Sequence, residues 1–241
     1  NKTNRNASWL LWHTLAGAVA SLSLPPLFVL PTIFALSFPL IGYLRAKSRL
    51  EAMLIFAAAG LGWFLTSTYW VSNSLLVNAS SSWVLMPFLA LTLSLVLTAF
   101  WSFAAVVSWS FGKCQQSRLL WFLTFFGLAE WGRGFIATGF PWNLTGSLFA
   151  IDPASMQAAS VLGVYGLCVV AMILAAMPAF WIIGHKRFAI ISVLLPIVMV
   201  IAGVIRLSGA PIPDSSTGML PLVRLVQPAI LQAAMAILNL H

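Results

Sequence analysis

Apolar runs close to the length of a membrane span recur along this chain, and short breaks of charge, proline and polar turns separate them. They fall at about 8–24, 27–44, 52–72, 84–111, 119–137, 159–183 and 188–206. An α-helix needs about 20 apolar residues to cross the hydrocarbon core of a bilayer. The pattern predicts an all-α membrane protein, a polytopic bundle of about seven transmembrane helices. Composition supports this: 61% of the 241 residues are hydrophobic and 7% are charged. Soluble domains carry about 25% charged residues.

The basic residues test the count. With the amino terminus in the cytoplasm, Lys2, Arg5, Arg45, Lys47, Arg49, Lys113, Arg118, Lys186 and Arg187 fall inside. Arg133, Arg206 and Arg224 fall outside, with Glu130, Asp152 and Asp214. Positive charge concentrates in cytoplasmic loops, so the segregation supports both orientation and count. It predicts a multi-pass membrane protein with its amino terminus in the cytoplasm and its carboxyl end on the outer side. The net charge of +8 follows the loops rather than a nucleic-acid stripe, and no nucleic-acid partner is expected.

Beyond the last span the character changes. Residues 1–207 read as the transmembrane domain and 208–221 as a linker. Leu222-Val223-Arg224-Leu225-Val226-Gln227-Pro228 reads as a short β-strand opening a further domain over 222–241.

Glu130-Trp131-Gly132-Arg133 stands near the end of the fifth run, ahead of Gly139-Phe140-Pro141-Trp142-Asn143. An ionised side chain at the bilayer centre costs roughly 2.5–3.5 kcal/mol on insertion scales, so this carboxylate and guanidinium have a role. At i, i+3 they share a helix face and either lock helices together or meet a lipid headgroup, whose phosphate suits an arginine fork. Tyr69 and Trp70 end the third run on the same predicted side. The candidate lipid-binding residues are Glu130, Arg133, Phe140, Trp142, Asn143, Tyr69 and Trp70. Gly60-Leu61-Gly62 and Gly163-Val164-Tyr165-Gly166 suit tight helix contacts. His13, His185 and His241 are scattered across predicted depths, so no metal is expected, and no phosphate-binding loop points to a cofactor. Cys114 and Cys168 are expected as free thiols at different depths.

Taken together, these pieces resemble the membrane part of apolipoprotein N-acyltransferases. They are Gly60-Leu61-Gly62-Trp63, Tyr69-Trp70-Val71, Glu130-Trp131-Gly132-Arg133, Gly139-Phe140-Pro141-Trp142-Asn143, Leu162-Gly163-Val164-Tyr165-Gly166-Leu167 and Val223-Arg224-Leu225-Val226-Gln227-Pro228. The resemblance implies an enzyme of the bacterial inner membrane, with its carboxyl end in the periplasm, that moves an acyl chain from a phospholipid donor to the amino-terminal diacylglyceryl-cysteine of a lipoprotein acceptor. It also implies a periplasmic nitrilase-like α/β domain, begun by the predicted strand, in which a Glu, a Lys and a Cys do the chemistry. That set does not appear on the outer side of this chain, so no catalytic residue is assigned. The expectation is a truncated or frameshifted member, or one part of a split enzyme with a separately encoded nitrilase-like half, inactive by itself. The competing readings are a small transporter or channel, and a non-catalytic membrane partner of a polyprenyl-lipid glycosyltransferase.

Overall fold

A computed structural model describes residues 2–76, 82–136 and 139–209. The α-helices are α1 (Lys2–Ala20), α2 (Ser37–Arg45), α3 (Arg49–Thr68), α4 (Met86–Phe111), α5 (Gln115–Arg133), α6 (Pro153–Met156), α7 (Ala159–Ala175), α8 (Met177–Ile182) and α9 (Lys186–Ser208). Tight 3₁₀ segments Leu30–Leu36, Tyr69–Leu76 and Thr145–Ile151 join them. Among the described residues there is no strand. The strand expected at 222–228, and the whole of the 222–241 domain, lie outside the described residues.

Helical structure occupies every expected span, but fewer helices are built to cross alone. Three are long and apolar enough: Arg49–Asn73, Met86–Phe111 and Lys186–Ser208. The second expected span is divided between the 3₁₀ segment Leu30–Leu36 and α2, and together they form only a shorter apolar helix, Leu30–Arg45. Pro31 opens the 3₁₀ segment at its first turn, where a missing N–H costs nothing. The sixth span divides between α7 and α8, where Pro178 sits in the first turn of α8. Gly184, at φ +85°, ends α8, and the His185 N–H returns to the Phe180 carbonyl at 2.9 Å, a glycine-terminated helix end. α5 carries Arg118, Glu130 and Arg133 within its 19 residues, which lowers its apolar content.

Local chemistry sets the other ends. Ser48 caps α3 by accepting from the Glu51 N–H at 3.1 Å, and the Glu51 carboxylate accepts from the Lys47 N–H at 2.7 Å. Cys114 precedes α5, where the Ser117 hydroxyl accepts from the Cys114 N–H at 3.1 Å. Asp152 accepts from the Ala154 and Ser155 N–H groups at 2.8 and 3.0 Å and starts α6.

Helices α1, α3, α4 and α5 pack in sequence, and α7 lies on α5. Small residues bring α1 and α3 together reciprocally. A methyl on Gly17 would come within 1.9 Å of the Ala59 carbonyl oxygen, and one on Gly62 within 1.9 Å of the Thr14 carbonyl oxygen. Gly60 faces Thr98 of α4. Lipid gives apolar helices no hydrophobic reason to associate, so close backbone approach of this kind supplies the contact. Gly163 differs from the packing role expected for it: no neighbour lies within 4 Å of a methyl there, and its φ of +64° kinks α7. Its glycine serves backbone conformation.

A column of rings fills the bundle. Tyr43 contacts Phe122 at 5.3 Å, Phe122 stacks on Phe56 at 4.3 Å and touches Phe126 at 5.8 Å, and Phe126 meets Trp101 edge-on at 5.3 Å. Trp101 contacts Trp63 and Phe64 at 5.5 and 5.3 Å. Tyr43 anchors one end of the column through a 2.7 Å hydrogen bond with Ser108. That end also holds Arg118, whose guanidinium lies 4.5 Å from the Trp109 ring centroid. Arg118 thus lies at one end of the ring column, and the polar cluster around Trp101 and Glu130, described next, lies at the other.

Candidate functional site at one end of the bundle

Glu130 and Arg133 sit in the last turn of α5 and are 0% and 1% exposed. The Arg133 Nη2 donates to Glu130 Oε2 at 2.9 Å, and its Nε donates to Glu130 Oε1 at 3.2 Å, a two-pronged ion pair. Trp101 Nε1 donates to Glu130 Oε1 at 2.9 Å. The remaining face of the guanidinium turns toward the following loop, where Nη1 donates to the carbonyls of Phe140 and Trp142 at 2.9 and 2.8 Å. Four of the five guanidinium N–H donors are therefore engaged. The Phe64 ring lies beneath the group, 5.2 Å from its carbon.

Arg133 grips Phe140 twice, because its own backbone carbonyl also accepts from the Phe140 N–H at 2.9 Å. Gly139 makes the required turn at φ +80°, and a methyl there would come within 2.2 Å of the Gly134 carbonyl oxygen. Asn143 adopts φ +53°, a left-handed conformation that asparagine tolerates better than most residues. Its amide donates to the Ser67 carbonyl, and its own carbonyl accepts from Trp63 Nε1 at 3.4 Å. The 139–143 turn is thereby pinned to α5 by Arg133 and to α3 by Asn143.

All seven residues singled out in the sequence meet at this end of the bundle, in two layers. Glu130 and Arg133 are enclosed, while Phe140 and Asn143 are half-buried. Tyr69, Trp70 and Trp142 are 60%, 44% and 58% exposed, and Trp70 meets Trp142 edge-on at 6.2 Å. The ion pair is closed on itself, so a phosphate reaches Arg133 only if the turn opens. The exposed groups of the cluster are the aromatics Tyr69, Trp70 and Trp142. Trp101, Trp63 and Ser67 complete the arrangement without having been singled out. Trp63 belongs to the Gly60-Leu61-Gly62-Trp63 motif, but Trp101 lies in a long run, 84–111, where no charged neighbour marks it.

Both cysteines are free. Cys168 is buried in α7, where its sulfur accepts from the Gly146 N–H at 3.4 Å. Cys114 is exposed at the opposite end, beside Arg118, and hydrogen bonding to the Ser117 hydroxyl holds its thiol below the usual range. Neither stands with the Glu130 cluster as an exposed nucleophile.

The model of the apolipoprotein N-acyltransferase N-terminal domain matches residues 16–177, a stretch holding all seven site residues. The chain belongs to the apolipoprotein N-acyltransferase family. Proteins named apolipoprotein N-acyltransferase from Brucella melitensis, Allorhizobium ampelinum and Rickettsia prowazekii are 37%, 35% and 32% identical to it over 237, 243 and 228 residues. Each alignment takes in 91% of this chain and 43%, 43% and 44% of the relative. The chain thus spans less than half the length of these N-acyltransferases.

Proposed function

We propose that this chain is the membrane part of an enzyme that transfers an acyl chain from phospholipid to the amino-terminal diacylglyceryl-cysteine of bacterial lipoproteins. In this reading Tyr69, Trp70 and Trp142 form a lipid-facing edge at the periplasmic end of an inner-membrane bundle. Glu130, Arg133, Phe140 and Asn143 hold that edge in place. The supporting observation is the pinned 139–143 turn: a buried charge pair and two helices fix a loop that leaves one tryptophan on the surface beside another. Aromatic rings of this kind favour the headgroup level, and the basic residues favour an amino terminus in the cytoplasm with Arg206 outside.

In the same reading the membrane part does not by itself carry acyl transfer. A thiolate nucleophile needs an activating base and access to its substrate, and Cys168 is enclosed while Cys114 lies at the end assigned to the cytoplasm. The chemistry then belongs to a nitrilase-like half, in the same polypeptide or supplied by another. The 241 residues purified in detergent, with phospholipid and a diacylated lipopeptide added, are expected to form no triacylated product; product formation refutes that part of the proposal. The lipid edge is tested with a phosphatidylethanolamine carrying a photoactivatable group near its headgroup. Crosslinking to the wild-type chain and its loss in Trp70→Ala and Trp142→Ala are expected. Equal crosslinking in both variants removes the edge from the site.

A further inference from the structure

Helix α7 meets α9 near the start of α7 and the end of α9. There an apolar groove of about 270 Å³ is lined by Val161 and Leu162 of α7 and by Val198 and Ala202 of α9, and it ends at Arg206. This volume lies just below the range of small-molecule pockets, about 300–1,000 Å³, and suits one acyl chain rather than a whole lipid. Val161 and Val198 are 82% and 59% exposed, so the groove opens sideways toward the surrounding hydrocarbon. The Gly163 kink gives the first turns of α7 their own direction, and Gly203 brings α9 against α6, where a methyl would come within 1.9 Å of the Ala154 carbonyl oxygen. The groove is therefore framed by backbone geometry on both sides.

A positive charge at its end separates this groove from the groove between α9 and the Thr145–Ile151 segment, whose charged residue is Asp152. Arg206 is exposed in the last turn of α9 and donates to the Ser160 hydroxyl. No carboxylate pairs with it among the described residues, whereas Arg133 is neutralised by Glu130. A guanidinium tethered at the mouth of an acyl-sized groove complements a phosphate with a hydrocarbon tail below it.

We infer that Arg206 and Ser160 hold the phosphate of a phospholipid whose acyl chain lies in the groove between α7 and α9. This site is distinct from the Tyr69, Trp70 and Trp142 edge, and its test uses none of those residues. The purified chain is titrated with phosphatidylglycerol and the bound lipid is counted by native mass spectrometry, with diacylglycerol and inorganic phosphate as comparison probes. Wild type is expected to retain phosphatidylglycerol in preference to diacylglycerol. Inorganic phosphate is expected not to displace it. Arg206→Ala is expected to weaken retention about tenfold, the scale of one charge-assisted contact, and Arg206→Lys to recover most of it. Ala202→Phe fills the groove without changing charge and is expected to weaken retention as well. Both positions are exposed, so thermal unfolding is expected to be unchanged. If Arg206→Ala does not fold, Ala202→Phe decides. Unchanged retention in a folded variant, equal affinity for diacylglycerol, or displacement by phosphate alone overturns the inference.

Discussion

Helices α3 and α9 are both long and apolar enough to cross a membrane, yet they are used differently. Half of the α3 span is buried within the molecule, against 22% of the α9 span. Gly60 and Gly62 let α3 approach α4 and α1 closely, and large rings at Phe56, Trp63 and Phe64 fill the space between. α9 instead presents Ile190, Ile191, Ile197, Val198, Ile201, Val204 and Ile205 outward. Its only glycine, Gly203, makes a close backbone approach to α6. Inside a bilayer, hydrophobicity alone does not decide which helix is central. Small residues and buried polar groups decide it, because lipid satisfies an isoleucine as well as another helix does.

The charge pair at the end of the packed half should give the largest effect. Glu130→Ala leaves Arg133 enclosed without its partner, and a loss of about 3–5 kcal/mol is expected, read as a lower midpoint in thermal or denaturant unfolding in detergent. Replacing both groups by apolar residues of similar size, Glu130→Leu with Arg133→Met, should recover much of that stability while releasing the 139–143 turn. A double variant as unstable as the single one would show that Arg133 acts through the turn rather than through the pair.

The next effect separates the two helices directly. Gly62→Leu drives a side chain into the Thr14 backbone and is expected to cost about 1–3 kcal/mol, the range for overpacking. Val204→Leu on the exposed face of α9 should stay within about 0.5 kcal/mol. Equal effects in a calibrated unfolding assay would erase the distinction between packed and rim helices.

The last prediction concerns how α9 is held to the rest. Asp152 caps α6, the short helix that packs on α9. Hydrogen bonds from Ser155, then from Ala154, hold its carboxyl below the usual range. Its folded value is depressed, so the stabilisation is present above the unfolded value and is lost as pH falls through the folded one. Asp152→Ala is expected to cost about 1 kcal/mol at neutral pH, and Asp152→Asn should keep the cap while removing its pH dependence below about pH 4. Hydrogen exchange of α6 and α9 reads both. Protection unchanged in Asp152→Ala would mean that α9 is fastened elsewhere.

Much of the site was legible in the chain. A glutamate and an arginine three residues apart in an apolar run demand a role, and Gly139 and Pro141 announce the turn beside them. Tyr69 and Trp70 came from a different run, linked only by the predicted side of the membrane, and the fold brings Trp70 against Trp142. Trp101 was illegible because no charged residue marks its run and its role depends on α4 lying beside α5. The seven-span count also shows how far periodicity reaches. It places helices, but the break between α7 and α8 and the 3₁₀ start before α2 depend on proline placement within runs that hydropathy reads as continuous.

By itself the sequence determined that this protein is a helical membrane bundle of the N-acyltransferase family, because apolar run length, charge placement and short motifs are local properties. Tertiary structure alone decided that Arg133 is enclosed rather than offered to lipid. Whether a buried charge is free or satisfied depends on which groups surround it, and those groups come from α4, α5 and the turn after it. The same reason places Arg206 on the surface with only a hydroxyl for company among the described residues. Two arginines near the ends of apolar helices look alike in the chain and differ only once the neighbours are in place.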